Sequence, residues 1–80
     1  QRTQAGGIEM TRLLIVVEET PTGYSAYAPD VPGCVATGAT SAAVESAMRE
    51  AIAFHVAGLH EEGLETPVPH SYAVMVEVAA

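Results

Sequence analysis

His55, His60, His70 and Cys34 are the side chains best suited to hold a transition metal. A zinc site needs Cys or His ligands in closely spaced pairs, so that several donors converge on one ion. His55 and His60 are five apart on what reads as one helix, and that spacing does not place them side by side. His70 lies on a proline-rich connector. No metal or other cofactor is expected. Cys34 could be a nucleophile only beside an activating base or a helix N-terminus. It follows Pro32-Gly33 with no histidine nearby in sequence, so a small buried thiol is expected instead.

Tyr24, Tyr27 and Tyr72 could form a stacking platform for bases, provided cations surround them. The chain has ten acidic residues against three arginines, and no lysine, for a formal net charge of −7. Phosphate contacts need clustered Lys and Arg, so nucleic-acid binding by this chain is not expected. Acidity alone can serve solubility, but it also favours encounter with a basic partner. Aromatic residues are enriched at protein interfaces. Tyr27, which points away from its strand neighbours Tyr24 and Ala26, is the expected contact residue.

These side chains need elements to position them. Arg12–Glu18 is a short apolar run with branched residues and reads as a strand covered on both faces. Thr20-Pro21-Thr22-Gly23 reads as a turn, and Tyr24–Ala28 as a second strand, completing a hairpin. Pro29–Gly33 breaks that strand, and Pro32-Gly33 suits the central positions of a type II turn. Cys34–Thr37 is a short third strand. Thr40 or Ser41 can cap a helix whose stripe is Val44, Met48, Ala51, Ile52, His55 and Leu59. Gly63 suits its C-terminal end, near which Glu61 and Glu62 meet the negative end of the helix dipole. Pro67 and Pro69 make a stiff connector. Tyr72–Val78 alternates as a fourth strand, with Tyr72, Val74, Val76 and Val78 on one face. The expected class is α+β, ordered β-β-β-α-β, a small antiparallel sheet with one covering helix.

Eighty residues make one small domain, and a chain this short buries only about 60% of its unfolded surface. Nearly half the residues are apolar (49%), enough for a core, but that core has no Trp and one Phe. Self-association is a standard remedy for so light a core, and one helix covers only one sheet face, leaving the other for a partner or a second copy. Residues 1–9 read as a tag remnant or disordered tail, with the domain spanning 10–80. The lone cysteine fits a reducing cytoplasm, and no stretch approaches the ~20 apolar residues of a membrane span.

The stretch from Tyr24 through Asp30-Val31-Pro32-Gly33-Cys34 to Gly38 resembles the HicB antitoxin pattern of aromatic strand, Asp-x-Pro-Gly-Cys turn, short strand and glycine. Thr40 at the cap, Glu50-Ala51-Ile52, Leu59-His60-Glu61-Glu62-Gly63 and Pro67-Val68-Pro69 continue the match, which covers about residues 12 to 78. Ala43 stands where the family often has the Glu of a capping box. Many members also carry a C-terminal DNA-binding segment. This sequence ends two residues after Val78 without one; if that is its whole length, direct operator binding and autoregulation are in doubt, and if it is a fragment the sequence does not decide them.

The resemblance implies a truncated ribonuclease-H-like domain, usually self-associating. It implies a cytoplasmic role in holding HicA, a small RNA-cleaving toxin that uses a histidine on a double-stranded-RNA-binding-like fold. A ribonuclease-H-type site would need several carboxylates converging on metal. Glu18, Glu77 and Asp30 are the available ones, and nothing in the sequence gathers them, so an enzyme is not expected. Asp30 reads first as a turn residue accepting from nearby backbone amides. The expected function is an antitoxin that neutralises a small basic HicA-like toxin by surface occlusion. Tyr27, Asp30, Glu61 and Glu62 are its partner-binding residues, and the chain itself forms a dimer or tetramer. The alternative is an orphan homo-oligomer of the same fold, structural or binding a small ligand, with no toxin.

Overall fold

The computed structural model describes residues 10–80; the expected tag remnant at 1–9 lies outside them. Three strands and one helix follow in order: β1 (Val16–Thr20), β2 (Gly23–Tyr27), β3 (Val35–Gly38) and α1 (Ser41–Glu61). The strands form one antiparallel sheet in the order β1-β2-β3. Val17 pairs with Ala26, which in turn pairs with Ala36. These three residues mark the face that packs on the helix, because successive strand residues alternate sides. The opposite row is Val16, Tyr27 and Val35.

The first strand starts four residues later than its apolar run. Register is set by the turn at Pro21-Thr22, which places Thr20 opposite Gly23 and Val16 opposite Tyr27. Beyond Tyr27 the partner strand β2 leaves the ladder: Pro29 has no N–H to give, and the Ala28 N–H donates to the Cys34 carbonyl at 3.3 Å. Leu13 and Ile15 therefore lack a strand partner in β2, yet they still pack against the core.

Two turns carry the chain from β2 to β3. Val31 N–H donates to Ala28 O, and Cys34 N–H to Val31 O, both at 3.1 Å. Gly33 has φ 90°, as a type II turn with Pro32-Gly33 at its centre requires. The core lies between sheet and helix: Ala26, Ala28, Val31, Cys34, Val44 and Met48 are buried. The Cys34 thiol reaches the Ala51 carbonyl at 3.9 Å. Gly38 lets the helix start close to the sheet, since a Cβ there would sit 2.7 Å from the Val44 nitrogen.

Thr40, not Ser41, is the N-cap; its hydroxyl accepts from Ala43 N–H at 3.0 Å. At the other end Gly63 turns left-handed at φ 78°. Its N–H donates to His60 O, and Leu64 N–H to Leu59 O at 2.8 Å, which is the Schellman arrangement. The helix packs mainly over β3 and β2 and barely touches β1.

The fourth strand is the main departure from expectation. From Leu64 to Ala80 the chain has no turn, bend or ladder partner among the described residues. Tyr72, Val74, Met75, Val76 and Val78 are 65–96% exposed. The radius of gyration is 15.4 Å and the longest extent 50 Å, against about 11 Å expected for the radius of a compact chain of this size. Among the described residues the sheet has three strands, and the fourth segment stands away from it.

Candidate protein-binding surface

The uncovered side of the sheet is the broadest candidate surface. Val16, Tyr27 and Val35 lie in register across its three strands, with Glu18, Ser25 and Thr37 forming the next row. Tyr27 is 44% exposed and Val35 68%, so this end is apolar with a hydroxyl that can reach a partner. A shallow concavity between β2 and β3 runs along Ser25, Tyr27, Val35 and Thr37. Tyr24, as expected from alternation, turns to the other side and packs on the core.

Asp30 sits differently from its expectation as a contact residue. Its side chain is wholly buried. One carboxylate oxygen accepts the backbone N–H groups of His70 and Ser71, each at 3.0 Å. The other accepts the Ser71 hydroxyl at 2.7 Å and lies 3.1 Å from Nδ1 of His70. The backbone amides it holds are thus not those of its own turn but ones some forty residues along the chain. The Ser71 hydroxyl bond, against the opposing effect of burial, and then the two amides and the His70 ring hold the Asp30 carboxyl below its ordinary value of 3.8. Asp30 clamps the turn between β2 and β3 to the root of the tail.

Glu61 and Glu62 are exposed at the last residue and C-cap of α1. No hydrogen bond or ion pair links them to Tyr27 or Asp30 among the described residues. The four candidates therefore fall in three places: open sheet face, buried clamp and helix end. His60 is exposed and bonds the Thr66 hydroxyl at 2.7 Å, across the helix end. No group of three or more His, Cys, Asp or Glu side chains that could hold a metal occurs among the described residues, and Glu18, Asp30 and Glu77 are not gathered into one. No described helix is long and apolar enough to cross a membrane.

The sequence reading missed Phe54, which is 83% exposed on α1. Its position off the apolar stripe Val44-Met48-Ile52 was the available signal.

The sequence model of a family described as "HicB_like antitoxin of bacterial toxin-antitoxin system" matches residues 13–79. The chain belongs to the HicB-like antitoxin family. A chain of the solved "HicA3 and HicB3 toxin-antitoxin complex" superposes on this HicB-like chain with a TM-score of 0.58 and 32% identity. The match covers 74% of this chain and 72% of that one. An "Uncharacterized 14.9 kDa protein in rep-hol intergenic region" of Haemophilus phage HP1 (strain HP1c1) is 40% identical over 53 residues. That alignment takes in 66% of the HicB-like chain but only 40% of the phage protein. The β-β-β-α body is the HicB-like fold.

Proposed function

We propose that residues 10–80 form an antitoxin domain that neutralises a small, basic, RNA-cleaving toxin of the HicA type by covering its active surface. The observation that carries this reading is the likeness to a chain of a HicA3–HicB3 complex. A chain of net charge −7 with an uncovered sheet face is suited to a basic partner: charge steers the encounter, and buried aromatic area holds it. Tyr27 supplies that area on the sheet face, and Glu61 and Glu62 supply charge at the helix end. Asp30 contributes through the turn that follows Tyr27, which its carboxylate braces. The domain acts in the cytoplasm as a binding protein without catalysis or cofactor, does not itself bind nucleic acid, and self-associates. A self-sufficient oligomer without a toxin is the second reading, favoured by the exposed apolar tail.

The test is capture from native lysate with the tagged chain, followed by an RNA-cleavage assay of whatever is retained in equimolar amount. A small basic protein, released by high salt, whose ribonuclease activity is suppressed on adding the chain back supports the antitoxin reading. Tyr27→Asp should weaken that suppression about tenfold or more, as expected for an interface aromatic. Capture of the chain alone, with the toxin expressed but not retained, favours the self-sufficient oligomer.

A further inference from the structure

Among its described residues, one HicB-like chain contains both a strand without a sheet and a sheet edge without a strand. The strand is Tyr72–Val78, which alternates Tyr72, Val74, Val76 and Val78 on one side with Ala73, Met75 and Glu77 on the other. It is exposed along its length. The edge is β1 with the residues leading into it. Because α1 leans toward β3, Leu13, Ile15 and Ile52 line a groove beside β1 that no described element fills. The other edge, β3, is only four residues long, whereas Leu13–Thr20 offers a longer run of backbone.

We propose that two copies of this chain exchange their tails, each laying residues 72–78 along the β1 edge of the other as a fourth strand. A second copy is the occupant favoured because it satisfies both deficits at once under two-fold symmetry, where a foreign partner would complete only one. Tyr72, Val74, Val76 and Val78 then extend the core layer over Leu13, Ile15 and Ile52. Alternation then turns Ala73, Met75 and Glu77 to the opposite, open face of the sheet. The Asp30 clamp fixes each tail at Ser71, so less chain freedom is lost when the strand pairs. Seven residues span about 23 Å as a strand, enough to run the length of the accepting edge.

The exchange is independent of toxin binding, and its test separates the two. Light scattering of the full chain should give twice the 8.3 kDa of one copy, or an even multiple of it. A mixture of isotope-labelled and unlabelled chains should give intermolecular nuclear Overhauser effects between residues 72–78 of one copy and Leu13–Val17 of the other. Val74→Asp with Val76→Asp should halve the mass of the dimer while the circular dichroism of α1 is retained. Tyr27→Glu should leave the mass unchanged. A monomeric native chain overturns the exchange, as does a dimer whose intermolecular contacts join Tyr27 and Val35 across two open faces. A monomer that still captures and silences the toxin overturns the exchange alone, and a tail-exchanged dimer that ignores the toxin overturns the antitoxin reading alone.

Discussion

The body from Val16 to Gly63 and the tail from Leu64 to Ala80 are written in the same alphabet but end in opposite environments. Val44 and Met48 are fully buried, while Val74 and Met75 stand in solvent. Both regions have the periodicity of their element, 3.6 in the helix and 2 in the tail. What differs is closure. The helix is tied to β3 by two residues, Ala39 and Thr40, so its apolar stripe lands on its own sheet. The tail leaves through Pro67-Val68-Pro69 and is then fastened at Ser71 to the turn between β2 and β3. Apolar alternation specifies that a segment will pair, and the connection before it decides with what.

The comparison can be broken most forcefully in the body. Met48→Ala should lower the unfolding free energy in urea by about 2–5 kcal/mol, the range for emptying a filled core site. Gly38→Ala should cost about 1–3 kcal/mol, because the added methyl meets the backbone nitrogen of Val44 and sheet or helix must shift. Thr40→Ala removes the hydroxyl that accepts from Ala43 N–H and should cost about 1 kcal/mol. Val74→Ala sharpens the contrast: at dilutions where the chain is monomeric it should change stability by no more than about 0.5 kcal/mol, with a larger loss only as concentration rises.

The clamp between the two regions adds a pH signature smaller in extent, confined to one turn and the tail root. The Asp30 carboxyl is held below its ordinary value of 3.8 in the folded chain. The folded state therefore binds fewer protons at Asp30 than the unfolded state does. The clamp's contribution is fully present above the unfolded value and is lost as pH falls through the lower folded one. The amide resonances of His70 and Ser71 should hold steady down to about pH 4 and titrate only below it. Asp30→Ala should release both amides at neutral pH without melting α1. Amides that stay held in Asp30→Ala would show that the clamp does not rest on this carboxylate.

Local chemistry was the legible part of this fold. Pro32-Gly33, Gly63 and the helix cap are read from single residues, because each demands a particular dihedral or supplies a particular acceptor. The alternation that turned Tyr27 outward and Tyr24 inward was legible for the same reason. The start of β1 was not, because the run Arg12–Val17 records burial, whereas pairing ends where Pro29 takes β2 out of the ladder. Asp30 was legible as a carboxylate that accepts backbone amides, but not as one that accepts them from His70 and Ser71. No short-range pattern encodes a bond across some forty residues. Nor could it show that Tyr72–Val78 lacks a partner among the described residues of its own chain, since a strand's sequence is the same whichever copy it joins. Within the candidate surface, only the outward position of Tyr27 and the helix-end position of the two glutamates were readable.

Cys34 adds a practical consequence. It is the chain's one thiol, buried beneath α1 with its sulfur turned to the Ala51 carbonyl. A thiol-specific reagent can reach it only when helix and sheet part, so the rate of labelling in native buffer counts those openings directly. Followed across protein concentration and with or without a bound partner, that rate would report, from an unmodified chain, how far each association event slows the breathing of the core.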